Sequence, residues 1–346
     1  MSPAETVQQA VAGQQSAALP ILLDSLPAET LIEILSYTDF ETFDHIRATS
    51  QRLRSVTDLH WYRILPSIIE RDFHPVKEFF DTLFDADVPD GMTCARLLDF
   101  CRVVKRWEAE YPRLRFASVP MFSRSLRPHE LGRLRQALYL WWKFARIFHG
   151  HATCAVENSV DARRAYMRQF SSARLHEAYD LWETVRRAVG GRVCPSITAI
   201  MGLEDKFLSK EAGARIGWGD YPVNSDIVNT MMKLLPDDIL HLLVYRHRYA
   251  TKSSVIDFIR FRHPRIEENV ATFGEATVNV FRERDLSFLG PFSQAGFPEP
   301  YGGILDHRHL RVEARRVVHD GDAGVGDANY PGLSSITRRG RLEPNL

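Results

Sequence analysis

The chain has 346 residues, 45% hydrophobic and 25% charged, with 44 Lys+Arg balanced by 44 Asp+Glu. This is the composition of a globular protein, with sequence enough for one large or two ordinary domains. Zero formal net charge argues against a general nucleic-acid binder, which needs surplus positive charge to displace counterions from phosphates.

Residues 1–20 are rich in Gln, Ala and Ser and contain no Lys or Arg. They read as a disordered leader and not as a secretory signal. No apolar run approaches the ~18 residues that would cross a bilayer. The four cysteines, Cys94, Cys101, Cys154 and Cys194, form no Cys-x-x-Cys pair, so reduced thiols and a cytoplasmic or nuclear setting are expected.

Three short helices are expected in 21–66. Pro27 suits a first helical position and Glu29 the positive end of the helix dipole. Leu31, Ile34 and Leu35 then make one apolar stripe. Thr38 followed by Glu41 is a capping-box pattern for a second helix carrying Phe40, Phe43 and Ile46. Ser50 suits the cap of a third, with Leu53 and Val56. Asp58-Leu59-His60-Trp61 leads to Ile64, Leu65 and an expected stop at Pro66.

Helical patterning continues to about residue 315. Residues 67–84 carry Ile68, Ile69, Phe73, Phe79 and Leu83 around a break at Pro75, and Val88-Pro89-Asp90-Gly91 reads as a turn. Cys94, Leu97, Leu98, Cys101, Val104 and Trp107 space as a helix ending before Pro112. From Pro128 to Phe148, Leu131, Leu134, Leu138, Trp141 and Ala145 step by three or four, with Gly150 as the stop. Phe170–Val189 repeats the pattern and ends at Gly190-Gly191. Residues 191–224 read as a connection, with Ser225 capping the next helical region. Residues 288–303 read as a Gly/Pro/aromatic loop and 317–346 as a flexible tail. No repeat of the leucine-rich, WD or kelch period is present.

The order of residues in 21–66 resembles an F-box. The residues that carry it are Leu26-Pro27-x-Glu29, Ile34-Leu35, Ser50-Gln51-Arg52-Leu53 and Trp61. Thr38 departs from the pattern, standing where the family usually has Leu. The segments 128–148 and 170–189, especially Leu134 to Tyr139, are also similar to helices downstream of the F-box in large fungal F-box proteins. The fold implied is mainly α: a leader (1–20), a three-helix F-box (21–66), a larger irregular helical domain (67–316) for substrate recognition, and a tail (317–346).

The function implied by the resemblance is that of a substrate receptor in an SCF-type cullin–RING ubiquitin ligase, with no bond chemistry and no cofactor of its own. Contact with a Skp-family adaptor would centre on Leu26, Pro27, Leu31, Ile34 and Leu35, with Leu53 and Trp61 on or behind the same surface. Two rival classes are a scaffold that binds the adaptor outside any ligase, and an enzyme with its site in 67–316.

Other constellations are weaker. His149-Gly150-His151 with Cys154, His307 with His309, and His241 with His247 lack the paired spacing of a zinc site. Asp320 to Gly324 lacks the central Gly and final Glu of a calcium loop. No nucleophile elbow, phosphate loop or dinucleotide fingerprint appears. Arg163, Arg164 and Arg168, or Arg186, Arg187 and Arg192, are the clusters a phosphopeptide reader would use. Arg338-Arg339-Gly340-Arg341 reads as part of a solvated tail. Trp218, Tyr221, Phe292, Phe297 and Tyr301 are candidate recognition aromatics or lids on a helical core.

Overall fold

The leucines and isoleucine spaced along 31–35 lie on the first of three packed helices, of which only the first two are short. A computed structural model describes residues 23–83, 93–117, 120, 123–150, 159–203, 209–249, 251–263, 266, 272–284 and 303–305. Expectations for the leader, the turn at 88–91, Cys154, the His307–His309 pair, the loop aromatics beyond residue 284 and the tail lie outside these residues.

Helices α1 (Ala28–Tyr37), α2 (Phe40–Thr49) and α3 (Gln51–Asp72) pack through buried Leu31, Ile32, Leu35, Phe40, Phe43 and Leu53. Ser50 caps α3 as expected, its Oγ accepting from the Leu53 N–H at 3.0 Å. The cap of α2 is Asp39, not Thr38: Asp39 Oδ1 accepts from the Thr42 N–H at 2.8 Å. An ionised carboxylate suits that end of the dipole, and the Thr38 hydroxyl is already donated to the Leu35 carbonyl at 2.8 Å.

Pro66 does not stop the third helix. α3 kinks at His60 (φ −114, ψ 17) and continues past an exposed Pro66 to Asp72. Ile64, Leu65, Ile68 and Ile69, on both sides of the proline, are fully buried. At ~1.5–3 kcal/mol for each sealed aliphatic side chain, their burial outweighs the ~3 kcal/mol of an interior proline. The far end of α3 then clasps the first two helices. Asp72 Oδ2 accepts from the Phe40 N–H at 2.6 Å, and Arg71 donates to the Ser36 and Thr38 carbonyls.

The break at Pro75 is present, followed by α4 (Val76–Leu83). α5 (Cys94–Arg115) runs through Pro112, which is buried between Tyr111 and Leu114, so packing again carries the helix past a proline expected to end it. α6 (Pro128–His149) matches its expected span, and its end is closed by the Gly150 N–H on the Arg146 carbonyl at 3.2 Å. α7 (Val160–Arg168) and α8 (Ser172–Ala188) follow, and a wider turn, Val189–Val193, carries the chain past the expected Gly190-Gly191 stop.

The described parts of this stretch, 191–203 and 209–224, are more than a connection. They hold α9 (Ile197–Leu203) and α10 (Lys210–Ile216), tied by the Trp218 N–H to the Pro195 carbonyl at 2.8 Å and the Ile197 N–H to Gly219 at 3.0 Å. α11 (Val223–Met231) begins before Ser225, whose place as a cap is taken by Pro222. α12 (Pro236–Val244), α13 (Lys252–Arg262) and α14 (Phe273–Glu283) complete the described fold. Among the described residues there are fourteen α-helices and no strand, the mainly α class expected.

One cluster of buried side chains runs without a break from Ile32 to Leu305. An aromatic line crosses it from α2 to α6. Ring centroids are 5.2 Å apart for Phe40–Phe73, 5.5 Å for Phe73–Phe79, 4.9 Å for Phe79–Phe100 and 4.7 Å for Phe100–Trp142. The three-helix unit therefore shares its core with the larger helical body.

Candidate docking face

The chain approaches α1 through a 3-10 turn, Leu23–Ser25, fastened to the start of α3. Ser50 Oγ donates to Asp24 Oδ1 at 2.7 Å while accepting from Leu53, and Arg52 Nη2 donates to the Leu26 carbonyl at 2.7 Å. Pro27 immediately precedes α1 rather than opening it, and its carbonyl accepts from the Leu31 N–H at 3.1 Å. These bonds hold Leu26 half-buried and Pro27 exposed at one end of α1.

The seven candidate contact residues divide by burial. Leu31, Leu35 and Leu53 are 1%, 1% and 2% exposed, so they join the helices and set the outer face indirectly. Ile34 is exposed, Leu26 is half-buried, and Trp61 is half-buried against the core. Tyr37, 79% exposed, extends the outer stripe of α1 at the 27, 30, 34, 37 spacing that faces one way on a helix. Leu59 and Tyr62 are also exposed, on either side of the His60 kink. Tyr37, Leu59 and Tyr62 were not among the residues the sequence singled out. The spacing would have found Tyr37; Leu59 and Tyr62 depend on the kink, which leaves no sequence period.

Ion pairs at the surface tie α2 to α3 and to α5. Arg47 reaches Asp58 Oδ1 at 2.8 Å, and Arg102 grips Asp44 at 2.6 and 2.9 Å while also bonding Asp99. The Arg102 hydrogen bond holds the Asp44 carboxyl below its ordinary range. Burial, aided by the charge of Asp58, pushes the Cys94 thiol up to about 11. Burial likewise raises Cys101. Both thiols are therefore protonated near neutrality and poorly suited to nucleophilic work.

The arginine clusters are largely paired within the chain. Arg164 and Arg168 both reach Glu283, at 3.2 and 2.8 Å, and Arg186 and Arg187 both reach Glu183, at 2.6 and 3.0 Å. Arg163 is buried with its guanidinium 5.7 Å from the Phe148 ring centroid. Arg192 alone of the six is exposed without such an ion pair among the described residues. His241 stacks on Phe258 at 5.2 Å, and Trp218 is buried whereas Tyr221 is exposed. Among the described residues no group of three or more His, Cys, Asp or Glu could hold a metal ion, and no helix is long and apolar enough to cross a membrane. An open groove at the α3–α4 corner is lined by Glu70, Arg71, His74 and Lys77.

No family model, no curated protein and no solved structure matches the chain.

Proposed function

We propose that the protein is a substrate-receptor subunit of an SCF-type cullin–RING ubiquitin ligase. The F-box-like unit docks on a Skp-family adaptor, and the helical body behind it presents a target protein. The observation that carries this reading is the division of α1 into a sealed stripe, Leu31 and Leu35, and an outer apolar stripe, Ile34 and Tyr37, continued by Pro27 just ahead of the helix, which no core contact among the described residues requires to be apolar. Exposed apolar residues in a row on a helix that is otherwise fully anchored suit a partner surface. The receptor performs no bond chemistry and needs no cofactor; it raises the effective concentration of a target lysine near the conjugating enzyme.

Co-expression with the Skp-family adaptor of the same host, followed by size-exclusion chromatography, tests the reading. The native chain is expected to co-elute with the adaptor in equal amounts, and Leu26→Ala/Pro27→Ala and Ile34→Asp to weaken binding at least ~10-fold, as for a central interface residue. A native chain that runs alone as a well-behaved monomer would remove the adaptor reading and reopen an enzymatic one. Adaptor binding without cullin would leave a scaffold.

A further inference from the structure

Deep in the helical body, between α5, α6 and α8, a carboxylate is committed to a segment of chain far away in sequence. Asp180, on α8, is 1% exposed. Its Oδ2 accepts from Tyr111 Oη at 2.9 Å and from the Ile304 N–H at 3.1 Å, and its Oδ1 lies 3.6 Å from Arg115 Nη2. On the other side, Arg133 Nη1 donates to the Gly303 carbonyl at 3.3 Å. The Gly303 carbonyl and the Ile304 N–H belong to one peptide unit, so that single amide is held from both ends by side chains of α6 and α8.

The slot also selects what flanks the amide. A Cβ on residue 303 would lie 2.5 Å from Asp180 Oδ2 and 2.7 Å from its Cγ, so glycine is required there. Ile304 and Leu305 are sealed, at 0% and 1% exposure. A carboxylate in an apolar core is costly unless it is paired and hydrogen-bonded. If the site served only to fill space, an apolar residue would serve as well; a buried acceptor is needed where a backbone N–H must be met. Glycine, a clasped amide and two branched apolar side chains amount to a short-peptide recognition code.

We propose that this slot is the target-recognition site of the helical body, that Gly303–Ile304–Leu305 occupies it as a tethered ligand, and that a target protein carrying glycine followed by two branched apolar residues displaces it. The assignment rests on the substrate-receptor reading, since it names the class of target that reading leaves open. A tethered ligand competes at an effective concentration on the order of mM. A free peptide therefore binds the native chain poorly and a chain with a disabled tether well.

The probe is a fluorescein-labelled peptide of residues 298–308, titrated by anisotropy against the full-length native chain and its Gly303→Val variant. A second peptide carries the same Gly303→Val change. Adaptor co-elution and helical circular dichroism are recorded on the same samples, so that loss of peptide binding is separable from loss of the adaptor reading. The variant chain is expected to bind the native peptide at least ~10-fold tighter than the native chain does, and neither chain to bind the valine peptide. Ile304→Ala, which weakens the tether but keeps the glycine, is expected to give the same tightening. Equal binding by native and variant chains, or equal binding of the two peptides, would overturn the proposal. So would loss of the helical signal in both variants, which would make the segment an indispensable piece of the core.

Discussion

Leu31 and Ile34 stand one helical turn apart on α1, and the fold uses them oppositely. Leu31 is 1% exposed and Ile34 is 37% exposed. Leu31→Ala is therefore expected to cost ~2–5 kcal/mol by cavity formation, and Ile34→Ala to stay within ~0.5 kcal/mol, as read by urea denaturation. A comparable loss in both would mean that Ile34 is core and not surface. His149 offers a test by pH. Burial, with Arg163, Lys233 and His263 nearby, holds its imidazole down to about 3, and its sealed Nε2 has no hydrogen-bond partner among the described residues. A depressed folded-state value means that the unfolded chain takes up the proton first. The contribution of His149 is thus intact above about 6.5 and lost as pH falls toward 3. Asp237 has the opposite sign: burial and the Asp238 charge push it up to about 6. Its contribution is present below about 4 and lost as pH rises to 6. His149→Leu should flatten the acid limb of the stability–pH curve, whereas Asp237→Asn should gain stability over the native chain between pH 4 and 6 and keep that gain at neutrality. Curves that run parallel to the native one would remove these assignments.

At the scale of elements, long periodic stretches were legible, but the ends of those that run through a proline were not. The helix at 128–149 was readable because Leu134, Leu138, Trp141 and Ala145 all face the core and Gly150 closes the end. Pro66 and Pro112 misled, since sequence rules weigh the missing N–H locally, whereas buried neighbours on both sides of each proline settle the matter non-locally. Restoring the lost hydrogen bond should therefore help. Pro66→Ala, at an exposed site, is expected to stabilise the chain by ~1–3 kcal/mol, and a loss in chemical denaturation would show that the kinked α3 depends on the ring. The candidate face was half legible. Spacing found the stripe at 31–35, but period alone cannot say which of Leu31, Ile34 and Leu35 the neighbouring helices cover. The pairing of Arg186 and Arg187 with Glu183 follows helical spacing of three and four, but that of Arg164 and Arg168 was not legible, because Glu283 lies more than a hundred residues away.

For the whole molecule, the continuous core and the aromatic line through Phe79 imply cooperativity between the first three helices and the body. Phe79→Ala, at the centre of four ring contacts, is expected to cost ~3–5 kcal/mol. The native chain should unfold in urea as one transition, coincident by circular dichroism and tryptophan fluorescence; two separated transitions would show that the three-helix unit melts by itself.

The run of α3 from the cap at Ser50 to the clasp at Asp72 has a mechanical consequence. Its 22 residues span about 33 Å at 1.5 Å per residue, less the kink, and no loop intervenes between the proposed docking face and the body behind it. The two ends should tumble as one rigid particle, with a single rotational correlation time. A partner seated at one end would then fix the bearing of anything carried at the other, so that reach is set by a stiff strut and not by the slack of a hinge.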